Sequence, residues 1–318
     1  MGILISVTAR PEDIKFGQAV AALAGMEAAH VDRANELRKL IKDKKDVVIF
    51  WDVDHPDAIE ISSPLSISNV GQVLRGVIDS ARVFAISTQA LNQTPFIFNI
   101  PIFNHHIYRQ FDEPSPLLVS LLVKACRNRD PFGLQNYTPK GTEPRKIVLK
   151  NSKERRPVCE AIANILVKAA IPDQLNNLAT QAVDEMLMNA IFDAPVRGTE
   201  TYKRKLDRAS EFNLAGRETV EVEFANVTGY FAICVRDSFG SLKKDSVLQY
   251  IRKDYEKSEY KVSDKDPGAG LGVYGMIQSG LSIVFCSRQN IKTEVMLFLP
   301  QVTGMKGFRK GFRFFSFI

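Results

Sequence analysis

The chain has 318 residues, of which 45% are hydrophobic and 25% are charged, and its formal net charge is +6. These values are ordinary for a soluble globular protein, and the length is sufficient for two domains with separate cores. No apolar run reaches the length of a membrane span, so the sequence predicts no integral membrane segment. Basic residues are nowhere dense enough for a nucleic-acid-binding face, so we expect no nucleic-acid partner.

The cysteines are scattered, without the paired spacing of a zinc site or a disulfide framework. They are Cys126, Cys159, Cys234 and Cys286. We interpret them as buried thiols in a reducing compartment and expect a cytoplasmic protein. Pro11-Glu12-Asp13 interrupts the apolar N-terminal stretch, so no signal peptide is expected there.

Strands alternate with helices in the first half of the chain, which predicts a doubly wound α/β sheet. The predicted strands cover residues 3–7, 27–31, 47–51, 83–86 and 106–111, and the predicted helices cover residues 11–24, 32–41, 69–80 and 114–127.

Polar residues follow the predicted strands. Asp52 and Asp54 come after the apolar run that ends at Trp51, and Ser87 follows the next strand. Ligand sites gather at this end of the strands in open α/β sheets. This arrangement over residues 1–130 resembles the receiver domain of two-component systems, which is flavodoxin-like. The resemblance implies that Asp52 occupies the position of the phospho-accepting aspartate and Ser87 that of the switch hydroxyl.

Two positions depart from the receiver pattern. Thr8-Ala9 replaces the acidic pair after the first strand, and Arg109-Gln110 replaces Lys-Pro after the last. A receiver needs those acids to hold magnesium beside the phosphoryl group. We therefore expect a degenerate receiver, a pseudo-receiver, that serves docking or dimerisation. The alternative is that Asp52 and Asp54 only cap a strand.

Residues 131–143 are rich in proline and glycine and are predicted to form a linker. A basic group follows and is interpreted as a solvated approach to a helix: Lys150, Lys153, Arg155 and Arg156.

Glu185 and Asn189 are four residues apart in a helical run that covers residues 173–194. They therefore project from one helix face, one turn apart. A carboxylate and a carboxamide so placed suit a site where one group handles a proton or water and the other contacts a hard metal ion.

Two later stretches add to this pair. A strand over residues 230–236 ends in Asp237-Ser238-Phe239-Gly240, and Gly268-Ala269-Gly270-Leu271-Gly272 precedes an apolar run. Glycines allow a backbone to approach phosphate oxygens, and the N-terminus of the following helix attracts them.

The ordered set, Glu-x-x-x-Asn, strand-Asp, polar loop and Gly-x-Gly-Leu-Gly, resembles the GHKL ATPase superfamily over roughly residues 140–300. We place the domain at residues 144–300 and expect its α/β sandwich (Bergerat) fold, with a mixed sheet backed by the helices of Val158 and Glu185. One strand and one helix precede the Glu/Asn helix, a layout similar to that of the anti-sigma-factor serine kinases.

The resemblance implies a role for each matching residue. Glu185 would be the general base, Asn189 would coordinate magnesium, and Asp237 would accept a hydrogen bond from the adenine amino group. The residues implied in nucleotide binding are Asn189, Asp237, Gly240, Gly268, Gly270, Leu271 and Gly272. Residues 241–267 would form a mobile lid. Phe239 and Ser241 depart from the pattern, because they occupy glycine positions of the family's Asp-x-Gly-x-Gly motif.

Residues 301–318 form a basic, aromatic tail. We expect it to dock on the receiver-like half, with a partner or an acidic lipid surface as the second interpretation.

The sequence therefore predicts a signalling regulator that binds ATP and magnesium, and that phosphorylates or sequesters a partner protein. A protein serine kinase or ATPase activity and homodimerisation both stay open. The alternative is a non-catalytic scaffold, or pseudokinase, with a degenerate nucleotide pocket. Glu185 favours the first hypothesis, and Phe239 favours the second.

Overall fold

The computed structural model describes residues 2–32, 34–42, 44–54, 78–89, 91, 103–109, 116–195, 211–249, 271–310 and 313–318. Helices occur together with parallel and antiparallel strand pairs, so the protein is mixed α/β. The chain divides into two compact units. The first contains Met1–Pro131, Gly311–Ser316 and Ile318, and the second contains Phe132–Lys310 and Phe317.

The strands are β1 Ile3–Val7, β2 Glu27–Val31, β3 Val47–Asp52, β4 Val83–Ser87, β5 His105–Tyr108, β6 Arg145–Leu149, β7 Val220–Val227, β8 Tyr230–Asp237, β9 Ser282–Arg288, β10 Lys292–Pro300 and β11 Arg313–Phe317. The α-helices are α1 Pro11–Ala24, α2 Ala34–Ile41, α3 Pro116–Arg127, α4 Arg155–Lys168, α5 Asp173–Met188, α6 Leu271–Gln278 and α7 Met305–Lys310.

The strands of the first unit follow the order β2-β1-β3-β4-β5-β11. The pairs from β2 to β5 are parallel, and every residue of β1, β3 and β4 is buried. Continuous apolar runs form such strands because a parallel sheet is covered on both faces. The predicted strands of this half are confirmed, with the last one at His105–Tyr108. The helix predicted at residues 69–80 lies almost entirely outside the described residues.

Helix α1 follows β1 after a short turn. Pro11 begins it, and Glu12 and Asp13 lie in its first turn, where proline and acidic residues are favoured. Gly25 ends it in the left-handed conformation, with its N–H directed at the carbonyls of Ala21 and Ala22. Asp13 is thereby fixed near the carboxyl end of β1.

The C-terminal tail is divided between the units: Gly311–Ser316 and Ile318 belong to the first, and residues 301–310 and Phe317 belong to the second. β11 pairs antiparallel with β5, and Phe314 lies opposite Ile107. The His105 ring and the Ser316 hydroxyl are 2.9 Å apart, which joins the two strands through side chains as well. The expectation that the tail docks on this half of the chain is confirmed for β11 and not for residues 301–310. The pairing as a strand was not predicted from the sequence.

The second unit has the strand order β9-β10-β8-β7-β6. Its described pairs are all antiparallel, whereas the resemblance implies a mixed sheet here. Hairpins of two and three residues connect β7 to β8 and β9 to β10, and connections this short permit only antiparallel pairing. Helix α5 packs on β8 and β10, between α4 and α6.

The segment predicted as a linker packs into the second unit. Phe132, Leu134 and Tyr137 are buried. The Gly133 N–H donates to the Glu294 carboxylate (2.5 Å), and the Tyr230 hydroxyl donates to the Tyr137 carbonyl (2.5 Å). Residues 132–137 are therefore held by both side-chain burial and hydrogen bonds.

All four cysteines are buried free thiols, as predicted. Of the helices that the structure describes, none has the length and apolarity that a bilayer crossing requires.

Candidate functional site

Glu185 and Asn189 lie on one face of the same helical segment. Glu185 is in the last turn of α5, and Asn189 opens a π-helical stretch that ends at Asp193. The Asn189 N–H is directed at the carbonyl oxygens of Glu185 and Met186, which keeps the two side chains one turn apart. Both are half-buried. Single π-helical turns inside helices are frequent at functional sites.

A cavity lies beside this helix end, against α6 and the strands β8 to β10. It is lined by Met186, Asn189, Ala190, Ala194, Val235, Asp237, Ser241, Leu242, Met276, Phe285, Thr293 and Val295. The empty space between these residues is about 440 Å³, which includes space open to solvent. Apolar walls with a few convergent polar groups are typical of a small-molecule site.

Asp237 is the acidic group of the cavity. It ends β8 and is 6% exposed. Its Oδ1 atom accepts hydrogen bonds from the N–H groups of Phe239 (2.8 Å) and Gly240 (3.3 Å). Burial raises the pKa of Asp237 to about 6, against the opposing effect of these hydrogen bonds and of Thr293. The carboxylate is thus held in a fixed orientation and can accept a further hydrogen bond from a ligand.

Thr293 is a second polar group of the cavity, which the sequence analysis missed. It lies directly opposite Asp237 in the pairing of β10 with β8. Its hydroxyl and its backbone amide both lower the pKa of Asp237. Thr293 is also the polar residue on the strand face that it shares with Val295 and Leu297, and that pattern could have identified it.

In the turn after Asp237, which differs from a glycine-rich turn, Phe239 stays outside the cavity, whereas Ser241 lines it. Phe239 is buried, and the Arg217 guanidinium lies 5.1 Å from the centre of its ring. Gly240 has φ +62°, and a Cβ atom there would collide with the Arg288 carbonyl oxygen. Among the described residues, neither Phe239 nor Gly240 lines the cavity. Phe239 thus packs beneath an arginine and does not narrow the space beside Asp237.

Arg217 forms hydrogen bonds both to this turn and to the hairpin between β9 and β10. Its Nε atom donates to the Ser238 carbonyl (2.5 Å), and its Nη2 atom donates to the Asn290 carbonyl (2.5 Å). The hairpin leads into the strand that carries Thr293. Arg217 therefore fixes Asp237 and Thr293 relative to each other from the outside of the cavity.

Gly272 lies against Glu185. A Cβ atom at position 272 would overlap the Glu185 carboxylate, so the first turn of α6 approaches α5 very closely. Met276, one turn further along α6, lines the cavity. Leu271 is the first residue of α6. Gly268 and Gly270, and most of the predicted lid, lie outside the described residues.

Helix α5 is also fixed on the side of α4. Arg155 forms an ion pair with Asp184, the residue before Glu185, and the Cys159 thiol lies 3.5 Å from the same carboxylate. Burial and the neighbouring Asp184 raise the pKa of Cys159 to about 12, so its thiol stays protonated. These contacts hold the helix end that presents Glu185 and Asn189.

Within the described residues, no cluster of three or more His, Cys, Asp or Glu side chains could hold a metal ion. The Asn189 carboxamide fits magnesium in another way. Magnesium is usually held by one or two protein oxygens, with waters and ligand phosphates completing its shell. A half-buried carboxamide at the wall of a cavity can supply one such oxygen.

The first unit has its own cluster of charged residues, at the carboxyl ends of β1, β3 and β5. Asp52 is 1% exposed, and its Oδ2 atom lies 3.2 Å from the Arg10 Nε atom and accepts a hydrogen bond from the Thr8 hydroxyl (3.1 Å). Asp13 forms an ion pair with Arg109 (2.5 Å). Both acids therefore already have cationic partners.

Asp13 was not identified from the sequence. It is 1% exposed, and burial raises its pKa to about 6, which the Arg109 charge opposes and the Asp52 charge reinforces. Thr8-Ala9 lacks the acids of a receiver, and Asp13, from the next helix, places one carboxylate in that neighbourhood. The Ser87 hydroxyl donates to Asp54 (2.7 Å) rather than to Asp52.

Comparisons with known proteins give limited information. The sequence matches no family model and no curated protein. Among solved structures, it is similar to a chain of the SiaB–SiaC complex from Pseudomonas aeruginosa, at 14% identity and a TM-score of 0.31, over 48% of this chain and 88% of that chain. At these values the likeness carries no argument about function.

Proposed function

We propose that the chain is an ATP-binding signalling regulator similar to the anti-sigma-factor serine kinases. In this proposal the second unit is a GHKL ATPase domain that binds ATP and magnesium, and the first unit is a degenerate receiver. The nucleotide-bound protein phosphorylates or sequesters a partner protein. The observation that carries the proposal is the convergence of Asn189, Asp237 and Thr293 on one cavity, with Glu185 at its side.

In this proposal, different polar groups of the cavity contact different parts of the nucleotide. Asp237, held by two backbone amides, accepts a hydrogen bond from the adenine amino group, and the Thr293 hydroxyl lies beside it. Val235, Met276 and Phe285 supply apolar walls for the base. Asn189 provides an oxygen for magnesium, which when bound neutralises phosphate charge.

Glu185 is the proposed general base. It is half-buried, one turn from Asn189, and it lies against the first turn of α6. A carboxylate in that position can orient or deprotonate an attacking water or hydroxyl beside the phosphates.

A second candidate function is a non-catalytic scaffold that binds nucleotide or partner only. It is favoured by the turn after Asp237, where buried Phe239 and the Arg217 bridge replace glycines that could move. The test of the Glu185 variant in the Discussion separates the two candidates.

Calorimetric titration with ATP and magnesium tests the binding site. The wild type should bind, and Asp237→Asn should lose a hydrogen bond to a charged group, about 1.5–3 kcal/mol or roughly 10- to 150-fold in affinity. Asp245→Asn is the matched control, because Asp245 is an exposed acid of the same unit that does not line the cavity. Equal affinity of the wild type and a folded Asp237→Asn protein would refute the adenine assignment.

A further inference from the structure

Strand β6 forms an open edge of the sheet of the second unit. Among the described strands it pairs only with β7, and just beyond its end Lys150 and Ser152 form backbone hydrogen bonds with Leu214 and Phe212. Arg145, Lys146 and Val148 are exposed on it, and Val148 is 38% exposed. An open strand presents unpaired N–H and C=O groups to which another extended segment can add.

The edge is strongly basic. Residues 140–156 contain seven basic and two acidic residues, in a chain whose net charge is +6. Ion pairs engage Lys146 with Glu221, Lys153 with Glu211 and Arg155 with Asp184.

Four of the seven basic residues form no ion pair with any described residue: Lys140, Arg145, Lys150 and Arg156. Of these, Arg145 and Lys150, at either end of β6, are exposed. The edge strand thus offers unused positive charge at both ends.

The inner neighbour of β6 shows which strand is complementary to it. β7 alternates Val220, Glu221, Val222 and Glu223. Its acids lie opposite Val148 and Lys146 on one face. Opposite charges in cross-strand positions stabilise pairing, and like charges destabilise it. A second strand with the same alternation would meet the outer edge of β6 in the same way.

We propose that the outer edge of β6 is a docking site for an extended acidic segment of a partner protein. The segment adds as a strand and places carboxylates near Arg145 and Lys150, with apolar residues between them. A second copy of β6 does not fit this edge, because two basic strands would oppose each other. The inference takes from the proposed function only that a partner is a protein; it does not depend on nucleotide.

The probe is a labelled nine-residue peptide with the sequence of residues 219–227, titrated into the full chain and followed by fluorescence anisotropy. We expect saturable binding that weakens with added salt, since the exposed charges are screened. Replacing both glutamates of the peptide by lysine should weaken binding by at least about tenfold, because attraction becomes repulsion.

Protein variants locate the contact. Arg145→Glu with Lys150→Glu should weaken binding of the acidic peptide at least about tenfold. Lys168→Glu, an exposed lysine at the end of α4, is the control and should bind as the wild type does. Asp237→Asn should also bind the peptide normally, so failure of the nucleotide site and failure of this site are distinguishable.

Strand addition is tested with two peptides that carry N-methyl groups on alternate amides, in opposite phases. Only one phase removes the hydrogen bonds directed at β6, so one peptide should lose binding and the other should keep it. Absence of binding, or equal binding of both phases, would overturn the proposal. In that case the basic residues at this edge only protect an open strand against aggregation.

Discussion

The carboxylate of Glu185 lies so close to the α-carbon of Gly272 that any side chain at position 272 would occupy the same space. Helices α5 and α6 meet at this contact, which joins the proposed base to the helix that follows the glycine-rich stretch. A carboxylate is the mobile end of a flexible side chain, so the contact can be disturbed without disturbing the backbone.

Gly272→Ala should therefore displace the Glu185 carboxylate and leave the fold intact. We expect the rate of phosphate release to fall by up to about 10²–10⁴-fold, the usual contribution of a general base. Gly275→Ala, in the same helix but with open space around its α-carbon, is the matched control and should retain activity. Equal rates for the two variants would show that the Glu185 position does not matter for turnover.

The Glu185→Gln variant distinguishes the catalytic function from the scaffold function. Glutamine keeps the size and hydrogen bonding of the side chain but removes its basicity. Turnover or partner labelling should fall by about 10²–10⁴-fold, while the ATP affinity should change little, because Asn189 and Asp237 are the residues proposed to hold the nucleotide. Glu160→Gln, an exposed acid on α4, controls for loss of charge. If the wild type binds ATP but turns over no faster than Glu185→Gln, the scaffold function is the correct one.

Asp52 should resist phosphorylation. Its Oδ2 atom is held by Arg10 and Thr8, and Asp13, the buried acid nearby, is paired with Arg109. Treatment with acetyl phosphate, or with beryllofluoride and magnesium, should leave the intact mass unchanged. The mass of Asp52→Asn under the same conditions provides the baseline. A stable adduct that maps to Asp52 would contradict this prediction.

Asp13 should make the stability of the first unit depend on pH. Its pKa rises from 3.8 to about 6 in the folded chain because it is buried. The folded state therefore favours the neutral carboxyl group. The contribution of Asp13 to the free energy of unfolding is fully present below about pH 4 and is lost as the pH rises through 6. Asp13→Asn is neutral at every pH, so its stability relative to the wild type should rise by roughly 2–3 kcal/mol from pH 4 to 7.

Urea unfolding followed by tryptophan fluorescence measures this difference in stability in the first unit, to which Asp13 belongs. The chain has one tryptophan, Trp51, which is buried in β3 beside Asp52. Asp237 also has a raised pKa, but it lies in the second unit and is present in both proteins. If Asp13→Asn instead loses stability relative to the wild type as the pH rises, the ion pair with Arg109 outweighs the burial of Asp13.

Sequence patterns predicted most of the described strands and helices, because buried apolar residues recur at the spacing of a strand or a helix. The run from Val47 to Trp51 is apolar without a break, as in a parallel strand covered on both faces. The spacing of Leu175, Ala182 and Met186 places one side of α5 in the core. Glu185 and Asn189 were identified because four-residue spacing has a fixed meaning on a helix.

Other features depend on contacts between segments that are distant in the sequence, and local residue spacing does not predict such contacts. Thr293 joins Asp237 only through the register of β10 on β8. Asp13 looks like an ordinary acid in the first turn of a helix, and its burial depends on Arg109, nearly a hundred residues away. The packing of Phe239 under Arg217 likewise could not be predicted from the fact that Phe239 stands at a glycine position of the family's motif.

The placement of β11 affects how this chain can be divided for experiments. The first unit is built from two separated stretches of sequence, and the second is carried between them as an insertion. Cutting after Pro131 would remove the strand that pairs with β5, together with the hydroxyl of Ser316 that meets His105. The exposed edge would then invite association with other chains. A fragment meant to stand for the first unit should join residues 313–318 to residues 1–131 through a flexible linker.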